Sequence, residues 1–146
     1  MPEGKSIHEL KIGDSAQISK TITEADIELF AKATGDFNPV HLDQAYAEKT
    51  MFKGRIAHGL LSVGLLSVGL LSSILGNILP GHGTIYLSQE VKFLAPVRIG
   101  DTITAGVEVI ELISEKNRAK FRTTCINQDG ILVADGIAWA MPPQKL

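Results

Sequence analysis

Apolar and polar positions repeat with two different periods along this chain. Ser15 to Ile22 alternates with a period of two and predicts an opening strand. Ile27, Phe30, Ala31 and Thr34 then recur at helical spacing. Thr23 is a good N-cap for that helix, Glu24 and Asp26 suit its first turn, and Gly35 is a natural stop. Asp36-Phe37-Asn38-Pro39 predicts a turn by composition, Asp43 caps a short helix over Gln44 to Lys49, and residues 50–57 read as irregular.

From Gly59 to Leu79 no residue is charged, and the run contains eight Leu with four Ser and four Gly. Its length would suit a bilayer, but its many small and polar residues fit better a helix buried on all sides in a soluble core. The run holds a local tandem repeat: Gly59-Leu-Leu-Ser-Val63, Gly64-Leu-Leu-Ser-Val68, Gly69-Leu-Leu-Ser-Ser73. Plotted as one helix, Ser62, Gly69, Ser72, Ser73 and Gly76 form a small-residue stripe, with Leu65 intruding. The expectation is an unbroken helix from near Gly59 to about Asn77, with the surplus length emerging at Asn77–Gly83. The rival outcome is that one repeat bulges out as a loop.

Pro80-Gly81-His82-Gly83 is a loop, and four strand-like runs follow it: Thr84 to Leu94, Thr102 to Ile113, Ala119 to Asn127 and Ile131 to Met141. Gln128-Asp129-Gly130 is a strong hairpin signal. Without long helices between them these strands pair antiparallel, as a meander wrapped around the apolar helix.

The length of 146 residues fits one domain, read as residues 1–146 throughout. A formal net charge of -2 argues against nucleic acid or an anionic membrane as the main partner. The N-terminus shows no apolar segment of a signal peptide, and the single cysteine, Cys125, forms no intrachain disulfide framework, so the expected setting is the cytoplasm.

Thr34-Gly35-Asp36-Phe37-Asn38-Pro39-Val40-His41 brings a carboxylate and an imidazole five residues apart across a stiffened turn. The spacing leaves two readings: an acid–base pair tuned by burial, or a helix end followed by a turn with His41 an incidental neighbour. Ile56-Ala57-His58-Gly59 is similarly open. Free amides at the start of a helix suit an oxyanion, with Gly59 allowing close approach, or Gly59 only lets the chain turn while His58 caps or packs. Other chemistries fail on spacing. Leu65-Leu66 stands where a phosphate loop needs Lys-Ser/Thr, and Leu60 stands where a nucleophile elbow needs Gly. His8, His41, His58 and His82 have no paired metal spacing, so no metal is expected. Cys125 reads as a buried inert thiol, and Lys116, Arg118, Lys120 and Arg122 as a solvated edge or hairpin tip rather than an anion site, although a CoA phosphate could use them.

The stretch Ala33-Thr-Gly-Asp-Phe-Asn-Pro-Val-His-Leu-Asp43 resembles the signature of the MaoC-like hydratase/dehydratase family, most of all its short single-domain (R)-specific enoyl-CoA hydratases. Ile56-Ala-His-Gly-Leu60, Leu79-Pro-Gly-His-Gly-Thr-Ile-Tyr-Leu87 and Phe93-Leu-Ala-Pro-Val-Arg-Ile-Gly-Asp101 agree in order and character. The resemblance implies an α+β hot-dog fold, an antiparallel sheet wrapped around one long central helix, working as a homodimer. It implies Asp36 and His41 as the catalytic pair, Asn38 holding the turn, and the Gly59 amide binding the thioester carbonyl. The implied reaction is reversible syn hydration of a trans-2-enoyl-CoA, with no metal or redox cofactor, in fatty acid metabolism and polyhydroxyalkanoate precursor supply. A dehydratase acting on an acyl carrier protein-bound or branched thioester is an alternative, as is a non-catalytic acyl-thioester-binding module. The tandem repeat departs from the family, in which a single such unit is expected.

Overall fold

The computed structural model describes residues 3–58 and 70–145. Their order is β1 (Ser15–Thr21), α1 (Glu24–Thr34), α2 (Pro39–Leu42), α3 (Gln44–Glu48), α4 (Leu71–Asn77), β2 (Ile85–Phe93), β3 (Thr102–Ile113), β4 (Arg118–Ile126) and β5 (Leu132–Met141). The five strands form one sheet in the order β1-β3-β4-β5-β2, antiparallel throughout. Strand β3 has the predicted bounds, and the other strand ends fall within one residue of expectation.

Alternation decides which face is core. Along β3 as far as Val109 and along β4 every second residue is buried, among them Ile103, Ala105, Val107, Val109, Phe121 and Cys125. Leu71, Ile74 and Leu75 of α4 are 1% exposed or less and join the same core, so the sheet packs on that helix in the hot-dog arrangement. Fully burying side chains of this kind contributes about 1.5–3 kcal/mol each.

Two expectations are corrected. The meander covers only β3, β4 and β5; β2 pairs with β5 at the far edge, not with β3. The linker Leu94–Asp101 carries the chain back across the core, donating from Gly100 N–H to the Ile22 carbonyl and accepting at the Val97 carbonyl from Ala57 N–H. Eight residues reach up to about 26–29 Å, ample for three strand spacings of roughly 14 Å. The unbroken helix is also corrected. Leu70 is a bend that precedes α4 as its N-cap, without a side-chain cap bond, although the helix does end at Asn77. A Gly in every repeat costs about 1 kcal/mol of helix propensity relative to Ala, which weakens a continuous helix. The expected start at Gly59, the small-residue stripe before Leu70 and the alternative bulge lie outside the described residues.

Local signals acted as read elsewhere. Thr23 caps α1 in a reciprocal box with Asp26, and Gly35 ends it with a left-handed φ of 77°. Gly130, at φ 76°, turns β4 into β5. Gly136 is required for a different reason: a Cβ there would lie 1.9 Å from the Glu90 carbonyl oxygen of β2. Of the basic run, Lys116 lies at the hairpin tip, whereas Arg118, Lys120 and Arg122 lie on β4, which is an interior strand and not the expected edge, with Lys120 over the Trp139 ring and near Glu111, and Arg122 near Asp135. Cys125 is fully buried, and burial pushes its thiol up to about 12, which makes it inert.

Candidate active site

Helix α1 ends at Gly35 and delivers the chain directly into the Asp36 turn. Thr34, expected on the apolar side of α1, is instead exposed: its Oγ1 donates to the Phe30 carbonyl at 2.8 Å and accepts from Asp36 N–H at 3.2 Å. Asp36 Oδ1 accepts from Asn38 N–H at 3.2 Å, and Asn38 Oδ1 accepts from Val40 N–H at 3.2 Å. Asn38 is thereby the N-cap of α2, with Pro39 at its first position. This single turn of helix, into which the turn expected over Asp36-Phe37-Asn38-Pro39 leads, was not anticipated. It rotates His41 inward, to 8% exposure, while the Asp36 side chain stays 48% exposed.

His41 is held by long-range partners. Its Nδ1 lies 2.9 Å from the Ile56 carbonyl oxygen. A carbonyl only accepts, so Nδ1 carries the proton and Nε2 is left with a lone pair. Arg55 Nε donates to the His41 carbonyl at 2.7 Å, and its Nη1 reaches Glu24 Oε1 at 2.7 Å, tying α2 back to the first turn of α1. Burial lowers the pKa of His41 below the usual histidine value; the Ile56 bond and the Asp36 charge act in the opposite direction. At neutral pH this imidazole is therefore a proton acceptor.

His58 lies flat against it, with ring centroids 3.8 Å apart and planes 27° apart. His58 is 1% exposed, and its Nε2 is 2.9 Å from the main-chain oxygen of Asp36 and 3.9 Å from Asp36 Oδ2. One donor atom from each of Asp36, His41 and His58 lies within 4.8 Å of the others. The sequence showed no such cluster, because the second histidine arrives from 22 residues away. A histidine flanked by Ile56 and Ala57, ahead of an apolar run, was the available sign that it packs inside. Gly59, the remaining expected site residue, lies outside the described residues and directly follows His58.

His41 also lines a cavity of about 370 Å³, together with Met51, Phe52, Phe93, Leu94 and Pro96. Its walls are mostly apolar, and the buried base that lines it lies within reach of a half-exposed carboxylate. Such a site suits proton transfer on a substrate with an apolar chain.

Comparison with known proteins agrees with this geometry. A family model described as "MaoC like domain" matches residues 10–130. The chain is 50% identical over 137 residues to the (R)-specific enoyl-CoA hydratase of Rhodospirillum rubrum, covering 94% of this chain and 91% of that one. It is 43% identical over 147 residues to the 3-hydroxybutyryl-CoA dehydratase of Methylorubrum extorquens, covering 99% and 90%. Among solved structures, the R-hydratase PhaJ1 from Pseudomonas aeruginosa in its unliganded form superposes with a TM-score of 0.88 at 44% identity, covering 97% of this chain and 88% of that one.

Proposed function

The chain belongs to the MaoC-like domain family, and we propose that it works as an (R)-specific enoyl-CoA hydratase, a hydro-lyase that adds water reversibly to trans-2-enoyl-CoA to give (R)-3-hydroxyacyl-CoA. The observation that carries this reading is the approach of the Asp36 carboxylate to His41 beside an apolar cavity, with Nε2 of His41 free to accept a proton.

A water held between Asp36 and His41 loses one proton to the pair as its oxygen bonds to C3. The pair returns one proton to C2 on the same face, so hydration is syn and the pair ends as it began. Because the two groups lie close, they act as one titrating unit. Asn38 serves by fixing the turn that carries both. As C3 is attacked, negative charge collects on the thioester carbonyl oxygen, and the Gly59 amide is our candidate for the donor there, a role usually worth about 3 kcal/mol. The cavity takes the acyl chain. Acid–base groups suffice for every step, so the reading includes no metal or redox cofactor.

The working unit is proposed to be a homodimer. Edge strand β2 and the linker after it expose Ile85, Leu87, Phe93 and Leu94, each 42% or more accessible, and a second copy would cover them. A cytoplasmic setting follows from reading Cys125 as an unpaired thiol. Among the described residues no helix is long and apolar enough to cross a membrane.

The test is loss of crotonyl-CoA absorbance on adding the enzyme, with chiral analysis of the product. Formation of (R)-3-hydroxybutyryl-CoA supports the reading, and an inert protein that still binds acyl-CoA would make it a binding module. Sedimentation of an active monomer at micromolar concentration would overturn the dimer.

A further inference from the structure

We propose that His58 is a positioning residue for the hydration reaction, a bracket that sets the distance between Asp36 and His41 through one hydrogen bond and one ring face. The inference rests on the hydratase reading for its kinetic consequences, but its geometric content is independent of it.

Two contacts make His58 a bracket. The first is the 2.9 Å bond from Nε2 to the main-chain oxygen of Asp36. Because that oxygen only accepts, Nε2 carries the proton. The second is the stack on His41 at 3.8 Å, backed on the His58 side by Phe30 of α1 at 5.0 Å. One side chain thus touches the backbone of the acid and the ring of the base. Among the described residues no other side chain makes a hydrogen bond or ring contact to both. Otherwise the described bonds of the Asp36 turn are local: three span two residues, and His41 N–H donates to the Asn38 carbonyl at 3.0 Å, which ties the backbone of the turn to that of His41 but leaves the Asp36 main chain and the His41 ring without a shared partner. The bracket supplies that partner.

His58 does not act as an acid or base in this scheme. It is 1% exposed, its Nε2 proton is engaged, and its Nδ1 is buried without a hydrogen-bond partner among the described residues. A buried acceptor left unpaired is costly, and Phe at this position would avoid that cost. What Phe cannot supply is the N–H to Asp36.

Two substitutions separate the contacts. His58→Phe keeps a ring against His41 and removes the donor. His58→Gln keeps an amide N–H at about the same reach and removes the ring. Since misplacing a reacting group by about 1 Å costs on the order of a hundredfold, His58→Phe should lower kcat by roughly 10- to 100-fold with KM within about threefold. His58→Gln should restore kcat to within about fivefold of wild type. A merely structural role predicts instead that both variants lose thermal stability and that neither substitution selectively rescues kcat. A folded His58→Phe enzyme with kcat within twofold of wild type overturns the proposal, as does equal loss in both variants.

Imidazole nitrogen NMR of the unsubstituted protein supplies a readout that needs neither variant folding nor activity. Protonated Nε2 on His58 and protonated Nδ1 on His41 are expected; the opposite tautomer on His58 overturns the bracket. If the wild-type protein fails to hydrate crotonyl-CoA while these tautomers are found, the functional reading falls and the bracket geometry stands.

Discussion

Asp36 sits in a turn whose own side-chain bonds each span two residues, with a single long-range tie from His58 to its main-chain oxygen, whereas His41 is tied by bonds that cross 14 and 15 residues and is stacked on a ring 17 positions away. The first arrangement closes little chain and forms wherever its few residues occur together. The second exists only after α1, α2 and the segment before residue 59 have docked. The exposed acid is therefore shaped locally and placed by one long-range bond. The buried base is set by the whole fold, and its proton affinity is lowered by the same burial.

The sharpest way to break the comparison is to remove the chemistry from each side. Asp36→Asn and His41→Gln are each expected to lower kcat for crotonyl-CoA hydration by at least about a hundredfold, with circular dichroism unchanged. Near wild-type turnover in either variant would remove that residue from the reaction.

The next test uses pH. Because His41 has a lowered pKa in the folded chain, the acid limb of the kcat/KM profile is expected below the ordinary histidine value of about 6.5. The sign for stability follows. As pH falls through about 6.5 the unfolded chain takes up the proton first, so stability drops until the folded His41 also titrates, and is flat from this group above that window. Asp36 and His58 face the same ring, with Asp36 raising and His58 lowering its affinity. Urea melts across this range check the slope; stability rising on acidification would contradict the buried base.

Smaller effects grade the two kinds of support. Arg55→Met removes the bond to the His41 carbonyl and the contact with Glu24; kcat should fall about tenfold and the melting midpoint by roughly 2–4 °C, for a loss of about 1 kcal/mol. Asn38→Ala removes only the cap of α2, costing about 1 kcal/mol in stability and a few-fold in kcat. Thr34→Val should change kcat by less than about twofold, because the two bonds that it deletes are both exposed and local. An Asn38 or Thr34 effect exceeding that of Arg55, read in the same hydration assay, would reverse the contrast between local and long-range support.

The same division explains what could be read from residues alone. Thr23, Gly35, Asp43 and the Asp129-Gly130 turn act within a few positions of themselves, so their elements were legible. Strands β3, β4 and β5 were legible because alternation and turn residues agree. The crossover of β2 was not, since sequence order favours neighbouring pairs and only the length of Leu94–Asp101 hinted at a longer route. In the site, Asp36, Asn38 and His41 were visible as one motif. Their partners were not: Arg55 and His58 look like an isolated cation and a packing histidine until docking supplies the carbonyl and the ring that they meet. Of the helix expected over the tandem repeat, the described part starts after Leu70 and ends at Asn77, the end that the sequence placed correctly.

Both imidazole protons are assigned by oxygens of the main chain, one at Ile56 and one at Asp36. Such an oxygen is present whatever side chain the position bears. Substitution at position 56 can therefore drift among residues of similar bulk without rewriting the state of the base. A one-residue insertion or deletion between 41 and 56 cannot, since it replaces the carbonyl under the ring with open space or an N–H. This site is inherited as a path through space, and its tolerance should be wide for exchange of letters and narrow for any change in their number.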